Sequence, residues 1–294
     1  MKKIEGSKVM IHFIFIAVSL CFVIPFLFVV SISLSSEQQL MQNGYRIFPA
    51  QFDLSGYRMA FENPTQVLNS YKVTIFFSFA GTFLEMLITT MMAYAISRRT
   101  FDYRKPVLVY LFITMFFSGG LIPTYILNTQ YLHLKDTVWI YILPGLVGTY
   151  NVLVLRSFFK GLPESLVESA KIDGAGEFVI CFRIIVPLSL PALATLSLMG
   201  LLGRWNNWYT SLIYITKPAL YSLQYLLQRI LREAEFLETM SQAHQLGNTQ
   251  MAEQQPLETL RYALVVITSG PMLFVFVFFQ KYFTSGLTIG AVKE

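Results

Sequence analysis

The stretch Gly161-Leu162-Pro163-Glu164-Ser165-Leu166-Val167-Glu168-Ser169-Ala170-Lys171-Ile172-Asp173-Gly174-Ala175-Gly176-Glu177 is the most informative in the chain. It reads as a short helix with both ends marked. Pro163 suits the first helical position, and Glu164 favours the positive end of the helix dipole. Leu166, Val167 and Ala170 recur at helical spacing and make a small apolar face. Lys171 falls in the last turn, and Gly174 suits the left-handed conformation that ends a helix. A second helical piece is expected from Glu177 to Ile185, leading to Pro187.

On either side of this segment the chain is too apolar for water. Of its 294 residues, 54% are apolar, 15% aromatic and 13% charged. A soluble domain carries about 25% charged residues. That excludes an ordinary cytosolic enzyme, a disordered chain and a disulfide scaffold, and points to lipid as the solvent. Six runs approach the roughly 20 apolar residues that a span needs: Val9 to Leu34, Val73 to Ile96, Val107 to Leu127, Thr137 to Phe159, Ile184 to Gly203 and Leu260 to Phe279. The first follows Lys2, Lys3 and Lys8 but is too long for a signal peptide, and is read as an uncleaved span. Cys21 and Cys181 lie far apart and make no framework, and His12, His133 and His244 have no metal-ligand spacing.

More than half of the 22 Lys and Arg fall in residues 1–8, 97–106, 156–183 and 280–294. By the positive-inside rule these face the cytoplasm, and with six spans both termini do too. The fold class expected is an all-α membrane protein. Residues 1–70 form a first span and outer loop. Residues 71–294 form a core with a cytoplasmic loop at 160–183 and an outer segment at 204–259. Trp205 to Leu231 is read as lying on or dipping into the membrane surface. The Gln-rich part that follows is either a solvated helix and linker or a platform for an external partner. The helix opened by Pro163 and ended at Gly174 then lies along the membrane with its apolar ridge facing the cytoplasm. It is an amphipathic connector or a docking element for a cytoplasmic protein.

The residues of this loop match a known pattern. Glu168-Ser169-Ala170, Asp173-Gly174-Ala175, Phe182, Ile185, Pro187-Leu188 and Pro191 resemble the EAA loop of ABC importer permeases. They depart from it at Ser169, where Ala is usual, and at Val186, where Leu is usual. Gln280-Lys281-Tyr282-Phe283 and Gly286 to Lys293 resemble the tail of the maltose-type carbohydrate permeases. Phe117 to Thr124, Arg204 to Tyr209 and Tyr221-Ser222-Leu223-Gln224 resemble the subset serving polysaccharides and acidic or complex oligosaccharides, of uronate or alginate type. The likeness runs from about residue 65 to the end.

The resemblance implies a type I ABC importer permease fold in a bacterial inner membrane. Its partners would be a second permease subunit, two ATPase subunits and an extracytoplasmic solute-binding protein, with membrane lipid around it and no nucleic acid. The chain would bind no cofactor and would not be an enzyme; ATP and Mg would sit on the ATPase subunits. No Gly-rich phosphate loop occurs in the sequence. By carry-over, Glu164, Glu168, Ser169, Ala170, Asp173 and Gly174 would dock the ATPase. Glu168 would make a polar contact, Ala170 would let helices approach, and Gly174 would form the turn. Thr288, Gly290 and Ala291 would reach the seam between the ATPases.

Candidate substrate-pathway or binding-protein contacts follow from chemistry. Glu85 lies mid-span, where a carboxylate is costly if it faces lipid. It is an acceptor for sugar hydroxyls or a helix–helix hydrogen bond. Trp205, Asn206, Asn207, Trp208 and Tyr209 offer stacking faces and amides for a sugar, or form an interfacial belt. Arg204 would pair with a sugar carboxylate. Arg156 is read as snorkelling to the interface. A secondary, ion-coupled transporter is the alternative, although it wants internal repeats and several buried ionisable groups.

Overall fold

The computed structural model describes residues 6–49, 51–245 and 257–291. In chain order its helices are α1 (Gly6–Ser33), α2 (Glu37–Asn43), α3 (Ser55–Ala60), α4 (Pro64–Ser97), α5 (Arg104–Phe116), α6 (Leu121–Ile126), α7 (Thr149–Lys160), α8 (Glu164–Ile172), α9 (Glu177–Val179), α10 (Val186–Leu188), α11 (Leu190–Trp205), α12 (Tyr209–Tyr214), α13 (Leu223–Gln245) and α14 (Leu257–Ala291). A π-helical turn, Leu127–Tyr131, extends α6, and another, Ile180–Ile185, joins α9 to α10. Short 3-10 turns cover Val138–Tyr141 and Leu143–Gly145. No strand forms among the described residues.

The chain makes two compact units, Met1–Val67 with Leu226–Pro271, and Leu68–Tyr225 with Met272–Glu294. The expected division separated 1–70 from everything after it; the structure also assigns 226–271 to the first unit.

In the first unit, α1 is apolar on every face, and the most apolar stretch within Val9–Ser33 has no residue buried by protein, whereas Ser31, Ile32 and Ser33 at its end are buried. Its 25 residues reach about 37 Å, enough for a hydrocarbon core of about 30 Å. The chain after α1 is tied back by polar contacts. Ser31 Oγ donates to the Arg46 carbonyl at 2.8 Å, and Ser33 Oγ and Tyr57 Oη lie 2.9 Å apart. Glu37 is buried at the start of α2 and caps α14: its carboxylate accepts the backbone N–H groups of Glu258 at 3.1 Å and Thr259 at 3.0 Å. The first N–H groups of a helix have no partner of their own, and a carboxylate there also meets the positive dipole end.

The second unit is organised on α4. One face of this 34-residue helix carries Ser70, Thr74, Ser78, Thr82, Glu85 and Thr89, all buried. Small side chains at three- and four-residue steps let neighbouring helices approach closely. Below this stripe, Ala93, Tyr94 and Ile96 join Leu111, Leu155, Phe159, Ile180, Ile185 and Leu196 in one apolar cluster. Toward the other end, Phe77 stacks on Tyr141, with centroids 4.4 Å apart, beside Ile140, Tyr214 and Tyr221.

Among the described residues, three helices have the length and apolar character to span a membrane unaided: Val9–Ser33, Pro64–Ser97 and Glu258–Lys281. The third, fourth and fifth expected spans are broken. Arg104–Phe116 and Leu121–Tyr131 meet at 112°, with Gly120 at φ 83° in the turn. Val138–Gly145 and Thr149–Lys160 meet at 49°, and Glu177–Leu188 and Leu190–Trp205 at 83°. The last break falls at Ser189, between Pro187 and Pro191. Pro191 has no N–H to give, and its ring clashes with the carbonyl four residues back.

Replacing Glu37 with Ala should cost about 1–3 kcal/mol, because two N–H groups lose their buried acceptor. Glu37→Gln keeps one acceptor oxygen and should lose less. Thermal unfolding in detergent checks the order.

Candidate functional site

Helix α8 starts one residue later than expected. Pro163 is extended, at ψ 127°, and precedes the first helical residue, Glu164. The helix ends as the sequence indicated. Gly174 takes φ 78°, its N–H donates to the Lys171 carbonyl at 3.0 Å, and the Ala175 N–H donates to the Ala170 carbonyl at 2.9 Å. These two bonds define a Schellman stop. A side chain at Gly174 would meet nothing within 4 Å, so the demand on this position is conformational.

Two of the three residues of the apolar ridge do not face outward. Val167 and Ala170 are buried in the same cluster as Ala93 of α4 and Leu196 of α11. Water is excluded by packing the small apolar face inward, and the ridge expected at the surface is corrected to that extent. What remains outside is polar with two large apolar side chains: Glu164, Glu168, Ser169 and Asp173 are exposed, as are Leu166 and, at 86%, Ile172. Of the residues assigned to docking, only Ala170 points inward. Thr288, Gly290 and Ala291 fall in the last turns of α14, and their side chains lie outside the described residues.

A clasp that the sequence reading missed fixes this segment to α4. Glu177 takes Lys171 Nζ at 2.7 Å and the Tyr94 hydroxyl at 2.5 Å, while the Arg98 guanidinium lies 4.7 Å from the Tyr94 ring centroid. Glu177 was legible as an acid opening a helix; Tyr94, inside an apolar run, carried no signal. A pocket of about 360 Å³ opens beside the clasp, walled by Met91, Arg98, Phe101, Phe178 and Phe182.

Farther along α4, Glu85 and Arg204 form a buried ion pair. Asn151 Nδ2 donates to the other Glu85 oxygen at 2.7 Å, and Arg204 Nη2 donates to the Gly145 carbonyl at 3.1 Å. Four segments therefore converge on one pair. Glycine makes the room: a Cβ at Gly81 would sit 2.6 Å from Arg204 Nε, and one at Gly200 would sit 3.1 Å from Glu85 Oε2. Arg204 Nε and Thr82 Oγ1 are buried without a hydrogen-bond partner. The sequence reading singled out both charges but kept them apart; the fold brings them together across 119 positions. Asn151 and the glycines were missed, since nothing in their neighbourhood marks them. Arg156 gives its Nε to the Ile96 carbonyl at 3.1 Å.

The other residues at the end of α11 divide. Trp205 is 1% exposed and belongs to the interior. Asn206 is exposed and accepts from Gln224 Nε2 at 3.1 Å. Asn207 accepts the Thr210 N–H at 3.0 Å, and Trp208 and Tyr209 meet edge-on. Nearby, Asp136 stands at φ 54° and accepts the Thr216 N–H at 2.5 Å, the Thr216 hydroxyl at 2.7 Å and the Lys217 N–H at 3.1 Å. Burial acts to raise its pKa, but these bonds and the Lys217 charge outweigh it and hold the carboxyl below its ordinary value of 3.8. Among the described residues, no three His, Cys, Asp or Glu gather as metal ligands would.

Residues 105–289 match the model of a family described as the binding-protein-dependent transport system inner membrane component. The chain is 37% identical over 271 residues to the protein LplC of Bacillus subtilis, covering 92% of this chain and 89% of that one. It is 34% identical over 271 residues to the polygalacturonan/rhamnogalacturonan transport system permease protein YtcP of the same organism, covering 92% of each. Among solved structures, a chain of a bacterial ABC transporter involved in the import of the acidic polysaccharide alginate superposes with a TM-score of 0.74 at 25% identity, over 96% of this chain and 99% of that one.

Removing one member of a buried pair strands the other charge, at about 3–5 kcal/mol. Glu85→Gln and Arg204→Met should each cost close to that, and the double variant Glu85→Met with Arg204→Met well under their sum. A double-mutant cycle on thermal stability in detergent reads the coupling. The Asp136 clasp should hold above pH 3.8 and loosen as pH falls below it, because the folded-state pKa is depressed and protonation removes the acceptor. Hydrogen-exchange protection at Thr216 and Lys217, relative to the intrinsic rate at each pH, should fall in acid, and Asp136→Asn should abolish that dependence.

Proposed function

Because the chain belongs to the family of inner membrane components of binding-protein-dependent transport systems, we propose that it is the permease subunit of an ABC importer for oligo- or polysaccharides, acidic ones included. Six spans place both termini in the cytoplasm, with each bent pair serving as one span. A second, similar permease completes the pathway. Two ATPase subunits beneath it hold ATP and Mg, this chain holds no cofactor, and an extracytoplasmic binding protein delivers the sugar.

The observation that carries the reading is the construction of α8. Its outer face offers Glu164, Glu168, Ser169, Ile172 and Asp173 to a partner, while Val167 and Ala170 are packed against α4 and α11. A push on α8 is therefore delivered to the helices that carry Glu85 and Arg204. Rigid-body motion of such a unit alternates access from one side to the other. Thr288, Gly290 and Ala291 add a second contact with the ATPase pair.

An acidic sugar is supported by two similar proteins, one named for polygalacturonan and one described with alginate. Arg204 already answers Glu85, so it does not serve as a free cation for a uronate, and Glu85 presents no unpaired charge to repel one. Asn206, Trp208 and Tyr209 remain as sugar contacts at the end of α11. Ion-coupled secondary transport is disfavoured, since the mid-span acid is committed to an internal partner.

Two measurements test the proposal. A pull-down from solubilised membranes should recover a second permease and an ATPase, and replacing Glu168 and Gly174 together by Arg should lose the ATPase. Recovery of the chain alone, still transporting without ATP, would sink the reading. Gly174→Val forces a β-branched residue to φ 78°, so ATP hydrolysis should persist while sugar uptake falls at least roughly tenfold.

A further inference from the structure

Four cations gather where three helices of the second unit end. Arg99 follows α4, Arg104 opens α5, and Arg156 and Lys160 lie in the last turns of α7. The Arg156 bond to the Ile96 carbonyl fixes the end of α7 beside that of α4. Arg104 acts electrostatically on Arg156, and Arg99, Arg104 and Arg156 all act on Lys160. Among the described residues none of the four forms an ion pair, and Asp102, the acid in the same loop, forms none with them. Three exposed cations elsewhere hold carboxylates: Lys171 has Glu177, Arg229 has Glu233, and Arg261 has Glu235 and Glu258. Others, such as Lys135 and Arg183, stand singly among the described residues; what distinguishes the four is that they lie together.

Like charges held together without a counter-charge repel. Arg104 and Lys105 also occupy the first turn of α5, the end of a helix dipole that disfavours cations. An anion from outside the chain relieves both costs. The surroundings say which kind. Tyr103 just before α5, Tyr110 within it and Phe158 in the last turn of α7 are exposed, and both helices belong to bent pairs apolar enough to meet acyl chains. A soluble anion would use the charges alone, whereas a phospholipid uses the charges and the aromatic flank together.

We propose that the ends of α4, α5 and α7 form a binding site for one anionic phospholipid, its phosphodiester held by Arg99, Arg104 and Lys160 and its acyl chains lying along Tyr110 and Phe158. Arg156, turned to the Ile96 carbonyl, positions the end of α7. The site goes beyond the transport reading: it requires only that these helix ends meet a membrane surface, and the transport reading decides which leaflet.

The test uses the purified full-length chain, equilibrated with equimolar phosphatidylglycerol and phosphatidylcholine and examined by native mass spectrometry. Wild type should retain phosphatidylglycerol roughly tenfold over phosphatidylcholine. Arg99→Gln with Lys160→Gln should abolish the preference, and Arg99→Lys with Lys160→Arg should keep it. Arg183→Gln removes an exposed cation outside the cluster and should change nothing. Equal retention of both lipids by wild type overturns the proposal, whatever the variants do. An equal loss in Arg183→Gln also overturns it, in favour of diffuse charge. Displacement of the lipid by inorganic phosphate at matched ionic strength would assign the cluster to a free anion instead. Intact lipid preference in the double Gln variant, with loss of a co-purifying ATPase, would assign it to a protein contact.

Discussion

Inside a bilayer a polar group must find its partner within the protein, because no water is there to supply one. The Glu85–Arg204 pair shows what that constraint demands. Each charge buried alone would be expensive. Together they still leave lone pairs and N–H groups to satisfy, and the fold supplies Asn151 for one and the Gly145 carbonyl for the other. That carbonyl lies in the bend before α7, where the helical ladder is interrupted. The break and the buried cation thus resolve one another: one frees an acceptor and the other needs it. Space is the remaining requirement, met by leaving side chains off positions 81 and 200.

The same economy governs the segment after α7. A nine-residue helix has little stability by itself. Here α8 is closed by a Schellman turn, clasped through Glu177 to Tyr94, and seated by Val167 and Ala170 in the cluster that also holds parts of α4, α5, α7 and α11. It is therefore a rigid appendage of the second unit. Protein interiors transmit displacement because they are close-packed. A docking surface built this way passes a partner's movement to the helices it rests on, and the bends at Ser189 and Gly120 give those helices distinct pieces to move. This supports the reading of α8 as the point where energy from ATP enters.

Some of this was legible in local chemistry. The apolar runs announced lipid as solvent. Pro163 and Gly174 bracketed α8 to within a residue, because caps and left-handed turns are decided by the residue at the position. Glu85 stood out as a mid-span carboxylate, while the stripe of small polar residues it belongs to emerged only from their burial. The direction of the α8 ridge was not legible. Helical spacing shows that Val167 and Ala170 share a side, and says nothing about whether protein, lipid or a partner covers it.

By itself the sequence determined the solvent, the helical class, the family-bearing loop with its stop at Gly174, and the identity of the two charged side chains that had to be explained. Tertiary structure alone decided that Glu85 and Arg204 explain each other, that Trp205 belongs to the interior, that three of the apolar runs are bent, and that Glu177 reaches back to Tyr94. The reason is physical. Composition, capping and turn preference act over a few residues and are written where they act. Ion pairs, close approaches and pockets depend on which distant segments the packing brings within a few ångströms, and no single segment carries that information.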